Sequence, residues 1–193
     1  SKLWSSKDAI ATTKPLVPLI DALIGNEEDF HKVLGYEAEG VDVGKAGSLD
    51  VSATVKHFAG YSQSINGHDR NEAQIPLRYL QDMFFPSYAG GLNAGADTVM
   101  VNSGSINGIP ATASHFLLTE MLRERLGFKG VVISDYADVP ALQSTYHVAA
   151  DLPGALAKAV NAGVDMEMTS TVYRDQLALA VKQGQVQGST IDE

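Results

Sequence analysis

The sequence predicts an α/β fold in which short buried strands alternate with helices. Three observations predict it. Four short segments, 53–57 (ATVKH), 98–102 (TVMVN), 131–134 (VVIS) and 164–168 (VDMEM), are largely apolar and rich in Val, Ile and Met, as strands of a parallel sheet are. The stretches between them carry apolar residues at helical spacing. An eight-residue pattern also recurs: NAGADTVM at 93–100 and NAGVDMEM at 161–168 agree at five of eight positions, 68 residues apart.

Taken in order, the first 50 residues match this pattern poorly. They hold Pro15 and Pro18, a helical stretch around 30–38 and a Gly- and Asp-rich loop to Leu49, so 1–50 is expected to be a separate helix-plus-loop segment. The βα units fill 51–193. Leu77, Leu80, Met83 and Phe84 form the stripe of a first helix; Phe116, Leu117, Met121 and Leu122 form a second, opened by Ser114 as N-cap. Leu156, Ala159 and Val160 mark a third, Leu177, Ala180 and Val181 a fourth. Gly95 and Gly163 close the helices that precede the second and fourth strands, and Leu126-Gly-Phe-Lys-Gly130 leads into the third in the same way. Strand starts are 45, 33 and 33 residues apart, the size of βα units. Four units make half of an eight-fold barrel or a small open sheet.

Composition narrows the function. A formal charge of −9, with no run of Lys or Arg, argues against nucleic-acid and anionic-membrane partners. Without cysteine there is no disulfide, thiolate metal site or cysteine nucleophile. The five histidines show no metal-ligand spacing and no Gly-rich phosphate loop opens a helix, so neither metal nor organic cofactor is expected. No apolar run reaches the ~20 residues of a membrane span. Ser1-Lys-Leu-Trp4 lacks both an initiating Met and a hydrophobic signal region, which fits a processed or truncated start. The compartment stays open, with a secreted or periplasmic setting favoured over a cytoplasmic one.

Sites on parallel α/β folds form at the C-terminal edge of the sheet. The residues there are Lys56-His57, Asn102-Ser103, Asp135 and Glu167-Met168, and four chemically able groups at equivalent positions are hard to ascribe to packing. Asp135 reads as a catalytic carboxylate or as the N-cap of the next helix. Lys56-His57 offers two donors to ligand hydroxyls. Glu167 is a second carboxylate one strand away, although alternation points it away from the pocket. His68, Asp69 and Arg70 form either a binding loop or a solvated turn.

These residues sit in motifs that resemble the family 3 glycoside hydrolases, which include many β-glucosidases. The motifs are Thr54-Val-Lys-His-Phe-Ala-Gly-Tyr61, Ser105-Ile-Asn-Gly-Ile-Pro-Ala111, 117–130 (LLTEMLRERLGFKG), Val132-Ile-Ser-Asp-Tyr136 and 161–168. Their order and spacing from about Ser52 onward carry the match. The resemblance implies about the last four βα units of a (β/α)8 TIM-like barrel. It puts Asp135 at the nucleophile position, with Tyr136 in place of the usual Trp beside it. It implies that Lys56 and His57 hold sugar hydroxyls, that Met100 and Met168 form apolar walls, and that Asp69-Arg70 belongs to a binding loop. Ser103 stands where many members have Tyr.

The implied activity is that of an exo-acting, retaining β-glycosidase with glucose as the unit removed, working through a glycosyl–Asp135 intermediate. The expected substrate is a β-glucoside or oligosaccharide. Members usually draw the acid/base Glu from a second domain, so the expected partner is the remainder of the enzyme or a second copy of this chain. The other reading is a half-barrel that binds sugar or self-associates without turnover.

Overall fold

The computed structural model describes residues 52–191, so the helix expected around 30–38 and the 1–50 segment lie outside the described residues. Four parallel strands make the main sheet: β1 (Thr54–Phe58), β3 (Thr98–Val101), β6 (Val131–Tyr136) and β7 (Met166–Met168), adjacent in that order. Each overlaps the segment expected from apolar runs. A second, small sheet links β2 (Glu72–Ala73), β4 (Ser105–Ile106) and β5 (Ile109–Pro110), two-residue strands that no sequence periodicity marks.

Helices follow the strands. α1 covers 77–93, with a π-helical centre at Leu80–Phe84; α2 (Phe116–Arg125) is π-helical throughout. α3 (Asp138–Ser144), α4 (Leu152–Ala162), α5 (Val172–Lys182) and the short α6 (Gly188–Ile191) complete the set. Ser114 does cap α2: its hydroxyl accepts the Leu117 N–H at 3.3 Å. Gly163 ends α4 in the left-handed region (φ 107°), as its place before a strand suggested. Gly130 is required by space, since a Cβ there would lie 1.9 Å from the Asp97 carbonyl oxygen, which accepts the Val131 N–H.

The core lies between sheet and helices. Val55, Phe58, Val99, Val101 and Val132 pack against Leu80, Phe85, Leu117, Leu118, Leu122 and Leu156. Truncating one of the fully buried leucines to Ala would cost roughly 2–5 kcal/mol. The alternate residues Met100, Ile133 and Asp135 point to the other face. β1 departs from strict alternation. Its pairing with β3 shifts between Val55 and Phe58, and both of those residues join the core. The irregularity leaves the two residues between them, Lys56 and His57, outside the core cluster, and it is why a consecutive pair can serve the strand edge.

Candidate active site

Because all four main strands are parallel, their C-terminal ends share one edge. Asp135 lies inside β6 rather than just past it, with a side chain 15% exposed. The N-cap reading does not hold. α3 begins three residues later, after Ala137 turns the chain in the left-handed region (φ 56°), and Asp135 Oδ1 accepts the neighbouring Tyr136 N–H at 2.5 Å.

Two side chains face this carboxylate. His57 Nε2 lies 3.5 Å from Asp135 Oδ2, and Arg70 Nη2 lies 3.4 Å from Oδ1. His57 is anchored through its carbonyl, which accepts the Tyr88 hydroxyl from α1, and its ring packs 4.5 Å from Tyr61. Burial pushes the imidazole below its ordinary pKa, with the Asp135 charge opposing that shift. Above the ordinary range of histidine it is therefore neutral, and can donate one N–H while accepting at the other nitrogen.

Arg70 does more than approach Asp135. Its Nη1 donates to the Tyr136 carbonyl (2.9 Å) and to Asp138 Oδ1 (3.0 Å). Asp138, the first residue of α3, is buried, and its Oδ1 also accepts the Ser103 hydroxyl at 2.5 Å. Arg70 and Ser103 are both among the sequence candidates; what the sequence does not mark is Asp138, the buried carboxylate that joins them, whose only sign is that it is a second acidic residue three positions past Asp135.

The remaining candidates fall into three groups. Tyr136 is 60% exposed beside Asp135, Met168 pairs with Tyr136 across β6–β7, and Lys56 is exposed at the middle of β1. Met100 is buried, opposite Ile133 and below the level of Asp135. Glu167 faces away: its Oε1 accepts the Tyr173 N–H (2.7 Å) at the start of α5, and its other oxygen accepts the Ser170 hydroxyl. Asn102 serves the backbone, its side-chain amide donating to the Ala59 carbonyl at 3.0 Å. A polar cavity of about 190 Å³ adjoins the site behind Arg70, between the 60–73 loop and Asn102-Ser103; Tyr61, Asp69 and Asn71 also line it.

The sequence model of the glycosyl hydrolase family 3 N-terminal domain matches residues 25–193. The chain belongs to glycosyl hydrolase family 3. Its family 3 match starts ahead of Ser52, where the recognisable motifs begin. The chain is 41% identical over 142 residues to a lysosomal β-glucosidase of Dictyostelium discoideum, covering 72% of this chain and 17% of that protein. It is 36% identical over 148 residues to a periplasmic β-glucosidase of Salmonella typhimurium, covering 77% of this chain and 19% of the relative. Among solved structures it is similar to a Listeria innocua β-glucosidase in complex with glucose: TM-score 0.71, 32% identity, 75% of this chain and 20% of that one. The chain thus spans about a fifth of the length of these relatives. The four-stranded parallel sheet is part of the TIM-barrel-like α/β fold of the family 3 N-terminal domain.

Proposed function

We propose that this chain supplies the nucleophile part of a retaining exo-β-glycosidase, with Asp135 as the attacking carboxylate. The observation that carries this reading is the setting of Asp135 at the strand edge: one oxygen accepts a backbone N–H and faces a guanidinium, the other faces a neutral imidazole. In the first step an Asp135 oxygen bonds to the anomeric carbon as the glycosidic C–O bond breaks, and the departing oxygen takes a proton from an acid. In the second, water bonds to the same carbon as the carbon–Asp135 bond breaks, gives its proton to the now basic acid/base residue, and the sugar leaves with its original configuration.

Lys56 and His57 are assigned to the sugar hydroxyls, and Tyr136 and Met168 to the apolar face of the ring; Met100 would act as a wall from below. Glu167, engaged with α5, is not assigned the acid/base role, which falls to a second domain of the complete enzyme. Glucose is the proposed glycone because both similar proteins above are named β-glucosidases. Nothing in this scheme calls for a metal or organic cofactor.

The test is Asp135→Ala in the complete enzyme. Turnover of an activated aryl β-glucoside should fall by about 10³-fold or more while the fold persists. Added azide should restore part of it, giving the α-glycosyl azide, because the small anion enters the vacated space. Undiminished turnover, or an azide product of retained configuration, would remove Asp135 from the nucleophile role.

A further inference from the structure

The buried Asp138 is not explained by packing or by capping. It opens α3, yet its carboxylate makes no capping hydrogen bond there. Its Oδ1 instead takes the Ser103 hydroxyl and Arg70 Nη1, while Oδ2 is buried without a hydrogen bond. Burying a carboxylate costs several kcal/mol unless its partners offset the lost hydration. What this placement accomplishes is visible in Arg70. One guanidinium spans Asp138, the Tyr136 carbonyl and Asp135. Ser103, beyond the end of β3, fixes Asp138; Asp138 fixes Arg70; Arg70 then meets Asp135 and holds the peptide next to it.

We infer that Asp138 is a positioning residue for the reaction, aiming the Asp135 carboxylate through Arg70 and the Tyr136 peptide and sharing the Arg70 charge with it. The inference rests on the reading of Asp135 as nucleophile. With Asp138 ionised, Arg70 is divided between two carboxylates, so Asp135 is oriented without being fully neutralised. With Asp138 protonated, the shared hold is lost and Asp135 and Arg70 form a closer pair, leaving a weaker nucleophile.

This arrangement makes activity depend on the charge of Asp138. Burial raises its carboxyl above the ordinary value, opposed by the Ser103 hydroxyl and the Arg70 guanidinium and helped by the Asp135 charge, with a net value of about 6. Thr112, in the turn before α2, and Tyr146, after α3, are the other groups that act on it or respond to it. The acid limb of the rate profile should therefore lie near pH 6 and belong to Asp138.

The experiment is the pH dependence of kcat/KM for an activated aryl β-glucoside, measured on the complete enzyme. Asp138→Asn should lower kcat at neutral pH by about tenfold to a hundredfold, the scale of a misplaced catalytic group, and abolish the limb near 6. Ser103→Ala, which removes a donor to the ionised form, should move that limb to higher pH. His57, which burial holds below its ordinary value, is touched by neither substitution, so a limb belonging to it would stay in place. If both variants keep the wild-type limb and lose only melting temperature, Asp138 is structural and the inference is overturned. Should Asp138→Asn not fold, an unmoved limb in Ser103→Ala overturns it alone. Full turnover in Asp135→Ala would instead bring down the nucleophile reading, and this inference with it.

Discussion

The ends of β6 and β7 each carry a carboxylate, and the two have opposite fates. Asp135 sits on the face away from the helices and meets Arg70 and His57. Glu167 sits on the helix face and meets the Tyr173 N–H and the Ser170 hydroxyl. Strand alternation decides this: neighbouring β7 residues Met166 and Met168 share the inner face, so Glu167 between them cannot. Chemical type and edge position are thus insufficient to mark a catalytic acid. What separates the two sites is which side of the sheet a side chain leaves, and whether a cation meets it there.

The largest effect should come from removing that cation. Arg70→Met keeps the length of the side chain but takes away the guanidinium facing Asp135 Oδ1 and holding the Tyr136 carbonyl. Turnover should fall by about 10²-fold, as expected for losing one preorganised electrostatic contact. Arg70 is 40% exposed but its partner Asp138 is buried, so losing the guanidinium should also lower the melting temperature, by the cost of leaving that carboxylate without its cation. A large loss of stability with kcat unchanged would mean that Arg70 only staples its loop.

Much of this contrast was legible in the sequence. Strands β3 and β6 announce themselves as apolar runs after Gly turns, and period-2 alternation already pointed Glu167 away from the pocket. The pair Lys56-His57 stood out as a pair, but not why both residues stay clear of the core; that depends on the irregular pairing of β1, which has no local signature. Arg70 is marked by the sequence as a binding residue but not as a partner of Asp135, because a loop side chain reaching Asp135 across 65 residues of sequence reflects tertiary structure alone. Asp138 and α3 have no clear sequence signature, for a local reason. The chain turns at Ala137 in a left-handed conformation usually reserved for Gly or Asn, and Pro140 lies in the helix that follows. Strands of two residues, such as β2, β4 and β5, leave no period to detect.

Asp138 sharpens the comparison through stability, with an intermediate effect. Its carboxyl binds a proton more tightly in the folded protein (about 6) than at its ordinary value of 3.8. Between these limits the folded state holds more protons than the unfolded chain, so stability falls as pH rises through that window. The ionised group should lower stability at neutral pH by on the order of 3 kcal/mol relative to its protonated form. Asp138→Asn cannot titrate. Relative to wild type, the variant should gain stability steadily from about pH 4 to pH 6 and level off above. Thermal unfolding of both proteins across this range checks it, and parallel curves would show that Asp138 has an ordinary carboxyl.

The smallest effect belongs to Glu167, and it tests the other arm of the contrast. Glu167→Gln keeps a carbonyl oxygen for the Tyr173 N–H but turns the second oxygen, which accepts the Ser170 hydroxyl, into a donor. The first turn of α5 loses part of its anchoring, while Tyr173 keeps a second tie through its hydroxyl, which donates to the Val164 carbonyl at 2.8 Å. The expected stability loss is therefore only about 1 kcal/mol, the scale of one capping hydrogen bond. Turnover of the complete enzyme should stay within about twofold of wild type, because a side chain on the helix face of β7 donates no proton at the opposite face. Pairing each kcat with a melting curve separates the two contributions. If Glu167→Gln instead removes turnover as Asp135→Ala does, while melting normally, Glu167 acts in catalysis. The β7 carboxylate would then have to leave α5 and reach the inner face during the reaction.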